Sequence, residues 1–300
     1  MKPFDIYIDS CGEMPRDWRE KYGVGTIEMM LNIDNKGDIK EFPALIDYDG
    51  EYDFKAFYDI QRNGTRIRTA AVPQKSFEDA FRASLEKGHE VLYLACSSGL
   101  SLSYDLSVKV AGTFAEEFPD LRIRCIDTLI SGFPIADMAI KSREMEKEEK
   151  DLDEIVSYLE SVKLKYNQFA TVETLTYLKN AGRVTASSAF FGNLFHVKPI
   201  IISDAKGHNV ATVKEKGRKA SLAKCAQLAV ETAEDIENQT IYISHGDDEE
   251  AAKFVKETVL SLAKPKDIVI GKIGPIIGAS SGPGVLCVYC FGKEVTYVGE

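Results

Sequence analysis

Apolar and polar positions alternate between two rhythms along the first half of the chain. Short stretches at residues 4–8, 91–95 and 122–126 read as strands; the second, VLYLA, is apolar throughout, as in a strand buried on both faces. After the second run the spacing stretches, and Leu100, Tyr104, Val108 and Ala111 recur as they would on one face of a helix. Further helices are predicted from Met14-Pro15 through Trp18 and Tyr22, and over 53–63, 76–87, 131–146 (capped by Ser131, with Pro134 in its first turn) and 152–164. A β-friendly stretch covers 26–32. Residues 68–73 read as a connection leading into the 76–87 helix. Strands alternating with helices predict an α/β fold with a doubly wound, mostly parallel sheet.

The second half has a different pattern. Strands are expected at 169–173, 197–202, 210–213, 240–244, 268–273 and 285–291, with a hairpin turn at 204–208. Helices are expected at 175–179, 189–196, 219–236 and 249–262, the third with Leu222, Cys225, Ala226 and Ala229 on one face. The change places a domain boundary after the 152–164 helix, giving an N-terminal α/β domain at 1–165 and a C-terminal α/β domain at 166–300. Three hundred residues, 44% of them hydrophobic, are enough for two cores.

Polar residues concentrate where strands hand over to helices. Asp9-Ser10, Cys96-Ser97-Ser98-Gly99 and Asp127-Thr128 each follow an expected strand. In open α/β sheets ligands bind at the carboxyl ends of strands, where the first helical N–H groups favour an anion. Ser98 and Ser101 read equally well as helix N-caps, and Asp9 as an Asx-type cap.

Several of these stretches resemble signatures of the DegV family. SSGLSLSY (97–104) is similar to SSxLSGTY, with Leu102 and Ser103 in place of the glycine and threonine. IDSCGEMP (8–15) resembles TDSTxDLP and keeps Asp9 and Ser10. Thr69 stands at the threonine of TSQP, followed by Ala70 instead of serine. LTYLKNAGRV (175–184) resembles LxYLxxGGRI, VKPIII (197–202) resembles IKPIL, and the segment 274–284 resembles GxxIGxHxGPG with Ser280 at the histidine. The resemblance implies two α/β domains with a ligand tunnel between them and one bound long-chain fatty acid, its carboxylate held by Thr69, Ser98 and Ser280. Asp9, Ser10, Ser97, Ser101 and Arg183 are supporting residues on this reading; Arg183 either meets an acid or phosphate or braces a loop. The resemblance further implies a carrier that presents the carboxylate to a separate fatty acid kinase for acyl phosphate formation in phospholipid synthesis. At Ser280 a hydroxyl can hydrogen-bond a carboxylate but cannot supply an imidazole's proton chemistry.

Composition narrows the alternatives. A net charge of −10 opposes binding to nucleic acid and anionic lipid surfaces. The cluster Lys214, Lys216, Arg218 and Lys219 reads as a solvated loop or helix start. Six cysteines without framework spacing fit a reducing compartment. With no apolar run long enough to span a bilayer and no signal-peptide pattern, a cytoplasmic protein is expected. Cys287 and Cys290 match CxxC, but residues three apart in a strand point to opposite faces. His196 and His245 have no second histidine at ligand spacing, so no metal and no other cofactor is expected. Gly278-Ala279-Ser280-Ser281-Gly282 matches GxSxG, yet a strand-like run rather than a helix is read after it. That counts against a nucleophile elbow; a small-ester serine hydrolase using Ser98 or Ser280 is kept as an alternative, as is a lipid reservoir or sensor without a kinase.

Overall fold

The computed structural model describes residues 2–35, 37–50, 52–185 and 197–299. The expected helix at 189–196, with His196, lies outside them.

The three strands expected in the first half form a parallel sheet. β1 (Phe4–Asp9) is flanked by β2 (Val24–Ile27) and β6 (Glu90–Ala95), and β7 (Ile123–Asp127) continues from β6, giving the order β2-β1-β6-β7 with every pairing parallel. β6 is buried along its whole length, as a central strand covered on both faces must be. Helices α1 (Arg16–Tyr22), α3 (Gln74–Leu85), α4 (Ser103–Thr113), α5 (Phe133–Lys147) and α6 (Leu152–Val162) accompany this sheet. α6 starts on a capping box in which Asp151 and Glu154 accept each other's backbone N–H.

Several expectations are corrected here. The stretch 26–32 is not one strand: Ile27 ends β2, and Met30 starts β3 (Met30–Asn35) in a separate antiparallel sheet with β4 (Asp38–Pro43) and β5 (Arg66–Ala70). Thr69 therefore lies in a strand rather than a loop. Helix α4 begins at Ser103, so neither Ser98 nor Ser101 is its N-cap, and α5 is entered through Gly132, in positive φ, instead of Ser131. Residues 275–281, for which the sequence pattern gives no element, form a short helix with proline in its first turn.

The second half carries a six-stranded mixed sheet. Its order is β10 (Asn209–Lys216), β9 (Val197–Ser203), β8 (Tyr166–Thr171), β13 (Leu286–Phe291), β11 (Thr240–His245) and β12 (Asp267–Lys272). Only the β11–β12 pair is parallel. Helices α7 (Thr176–Ala181), α8 (Arg218–Thr232), α9 (Glu249–Leu262) and α10 (Pro275–Ser281) complete it. Leu222, Cys225, Ala226 and Ala229 are the buried face of α8, as the periodicity predicts. Along β13, Cys287 belongs to the core shared with the first half and Cys290 to the core beneath α8 and α9, so the two thiols sit on opposite faces.

The two halves meet through specific contacts. The Tyr48 hydroxyl donates to Ile273 O at 2.6 Å, and Ser97 Oγ donates to Gly207 O at 2.8 Å. A Cβ on Gly99 would lie 2.9 Å from the carbonyl carbon of Gly207, so the 97–99 turn packs backbone to backbone against the β9–β10 hairpin.

Candidate functional site

A cavity of about 300 Å³ lies between the parallel sheet and the mixed sheet, at the small end of the range for ligand pockets. One wall is Cys11, Met29, Cys96 and Leu100; the other is Ala170, Val172, Ile201 and Cys287, with Leu178 and the helix residues Ile276 and Ile277 closing the side. A mostly apolar lining with a few hydroxyls suits a long apolar ligand carrying one polar end.

The cavity shares three residues with its neighbour. A second, polar cleft of about 660 Å³ adjoins it, and Thr69, Arg183 and Ser280 line both. These three residues mark the mouth. Thr69 arrives on β5, Ser280 in the last turn of α10 and Arg183 just after α7. Arg183 is anchored by Nε donating to Leu100 O at 2.8 Å and Nη1 donating to Ala181 O at 2.7 Å. It thus braces a loop and stands at the mouth at once. Ser101 also lines the cavity, its Oγ accepting from Ser103 N.

The remaining expected site residues have other duties. Ser98 is not in the cavity wall: its Oγ donates to Asp127 Oδ2 at 2.5 Å and its N–H to Asp127 Oδ1 at 3.0 Å. That hydroxyl proton is already committed, a pairing that the spacing of the two residues along the chain did not disclose. Ser97 is fully buried, joining Gly207 to the turn and accepting from Gly99 N. Asp9 is fully buried and accepts from Cys11 N, Cys96 N and the Tyr93 hydroxyl, all within 2.9 Å. It acts as the Asx-type cap and ties the ends of β1 and β6 together. Burial raises its pKa although all three bonds favour the ionised form. Ser10 Oγ accepts from Met29 N and fixes the β2–β3 crossing.

Other residues at or near the cavity were not singled out from the sequence. Gln168 and Asn209 line it and bond to each other, Nε2 to Oδ1, at 3.1 Å. Glu13 is 2% exposed beside it, and burial lifts its pKa to about 8. Its Oε1 accepts from Gly274 N at 3.3 Å, and Oε2, Tyr289 Oη and Ser244 Oγ are buried without a hydrogen-bond partner. No apolar periodicity flags it, but Glu13 stands at the acidic position of the TDSTxDLP motif, the signal that could have found it. His245 accepts from Asp248 N at Nδ1 and serves as a turn residue, with its pKa lowered by burial. Among the described residues, no helix is long and apolar enough to cross a membrane.

The comparisons with known proteins agree with this architecture. The sequence model of a family described as "uncharacterised protein, DegV family" matches residues 3–293. A DegV domain-containing protein of Clostridium perfringens is 33% identical over 294 residues, covering 97% of this chain and 98% of that protein. A DegV family protein from Ruminococcus gnavus, refined with vaccenic acid, superposes with a TM-score of 0.82 at 20% identity, covering 95% and 99% of the two chains. DegV, a fatty acid binding protein from Bacillus subtilis, gives 0.81 at 24% identity over 97% and 100%. With the fold, the motifs and nearly the whole length of the sequence in agreement, this chain belongs to the DegV family.

Proposed function

We propose that this protein binds one long-chain fatty acid, with the acyl chain in the apolar cavity and the carboxylate at the mouth, held by Thr69 and Ser280 beside Arg183. The observation that carries the reading is an apolar cavity whose mouth is framed by two hydroxyls and a guanidinium. Burying each CH₂ contributes roughly 0.8 kcal/mol, so the chain supplies affinity while the hydroxyls orient the head group. Ser98 joins them only when its hydroxyl leaves Asp127. Relatives of the same fold that bind a fatty acid support the reading.

The bound carboxylate is presented to a partner kinase, which transfers a phosphoryl group to it and forms an acyl phosphate. The protein is then a carrier, and the opening of the mouth onto a polar cleft supports that role, since the head group faces outward. The hydrolase alternative has less support: among the described residues no histidine lines the cavity, and Ser98, whose hydroxyl donates to Asp127, is not in its lining.

Titration of delipidated protein with hexadecanoic acid tests the binding half. Saturable one-to-one binding that weakens at least tenfold in Thr69→Val/Ser280→Ala is expected, and absence of binding refutes it. For the kinase half, loaded protein is incubated with ATP and cell extract, and acyl phosphate is trapped with hydroxylamine. Hydroxamate that depends on the loaded protein is expected; none would leave a reservoir or sensor.

A further inference from the structure

We propose that the polar cleft beside the mouth is a binding site for a phosphoryl group, an inference that rests on the fatty-acid reading above. The chain has eleven arginines. Eight of them form ion pairs with aspartate or glutamate. The three that do not, among the described residues, are Arg66, Arg68 and Arg183, and all three line this one cleft. Among the described residues no aspartate or glutamate lines it, in a protein of net charge −10.

That segregation has a physical meaning. Uncompensated like charges gathered in one concavity repel each other, and the arrangement is stabilised when an anion enters. Alternation along β5 puts Arg66 and Arg68 on the same face of the strand, both exposed. Asp34, opposite Arg66 on β3, accepts from Gly37 N and makes no ion pair with it. Arg183 spends Nε and Nη1 on carbonyl oxygens, which leaves its charge unneutralised at the junction of cleft and cavity.

A second observation points to a ligand independently. Gln61 also lines the cleft and is 2% exposed, and neither its side-chain oxygen nor its nitrogen has a hydrogen-bond partner. Leaving a buried amide unpartnered costs free energy that a polar ligand group would recover. Three guanidinium groups suit a doubly charged, tetrahedral oxyanion better than a single carboxylate, because each supplies a planar fork of donors. Since Thr69, Arg183 and Ser280 line both spaces, a phosphoryl group on the head of a chain in the cavity would enter the cleft directly. The group has two possible sources: an acyl phosphate built on the bound chain, or a free phosphate-bearing small molecule.

The test compares hexadecyl phosphate, a stable mimic of the acyl phosphate, with hexadecanoic acid by isothermal titration, using inorganic pyrophosphate as the free-anion probe. Wild-type protein is expected to bind hexadecyl phosphate at least tenfold more tightly than the acid. Arg66→Gln/Arg68→Gln should abolish that margin while changing the affinity for the acid by less than twofold. A margin that pyrophosphate does not compete away assigns the lipid head group as the source; binding of pyrophosphate alone, lost in the double variant, assigns the free anion. Equal affinity for the two amphiphiles with no pyrophosphate binding overturns the proposal. If hexadecanoic acid itself fails to bind, the fatty-acid reading falls, and the pyrophosphate titration decides the cleft separately.

Discussion

Replacing Glu13 by glutamine should change how stability depends on pH. The native carboxyl, buried against Gly274 N, titrates at about 8, whereas its ordinary value is 4.5. Between those values the folded protein keeps a proton that the unfolded chain has released, so stability falls as pH rises, by about 1.4 kcal/mol per unit. This group's contribution is fully present below pH 4.5 and is lost by the time pH passes 8, a total on the order of 5 kcal/mol. Glutamine keeps an acceptor for Gly274 N, has the same shape and does not titrate. It also brings a donor to a region where Tyr289 Oη and Ser244 Oγ lack partners. Urea unfolding of delipidated wild-type and Glu13→Gln protein at pH 5.5 and 7.5 measures the difference. Glu13→Gln should gain about 3 kcal/mol on wild type across that interval, while slopes from Asp9 and Asp137, whose pKa values burial also raises, cancel between the two proteins. Parallel pH profiles would refute the reasoning and mean that Glu13 is ionised in the native state.

Other outcomes follow from the same geometry. Ser98→Ala should leave hexadecanoic acid affinity within about twofold while Ser280→Ala lowers it roughly tenfold, because a lost hydrogen bond to a charged group costs about 1.5–3 kcal/mol; direct titration measures both. Gly99→Ala should destabilise the protein by about 1–3 kcal/mol in chemical denaturation, since the new methyl meets the Gly207 backbone, which cannot move aside as a flexible side chain would. Ala170→Phe, which places a ring in the cavity wall, should shift the preferred acyl chain to shorter lengths in a competition series from ten to eighteen carbons.

The parts of the molecule that were legible in the sequence are those where one local signal suffices. β6 carries the apolar run VLYLA, β1 and β7 are rich in isoleucine and other β-friendly residues, and α8 shows its buried face at regular spacing. Local signals failed where tertiary pairing decides. β5 is half exposed, with Arg66 and Arg68 interleaved with Ile67 and Thr69, and becomes a strand because β3 lies beside it. α10 is only seven residues long and is flanked by Gly274 and Gly282, although proline in its first turn is a start signal that was available. For the site, motif positions brought Thr69, Ser280 and Arg183 together at one mouth. They could not show that Asp127, from the next strand, takes the Ser98 hydroxyl, or that Asp9 spends both carboxylate oxygens on tying the ends of β1 and β6 together. Pairing partners twenty-nine and eighty-seven positions apart leave no trace in spacing.

The most direct test of the central claim is native and denaturing mass spectrometry of freshly purified protein. The account predicts a single adduct that dissociates on denaturation and has the mass of a long-chain fatty acid. An empty protein that also fails to take up hexadecanoic acid after delipidation would contradict it, and would mean that this chain keeps the DegV fold without the ligand.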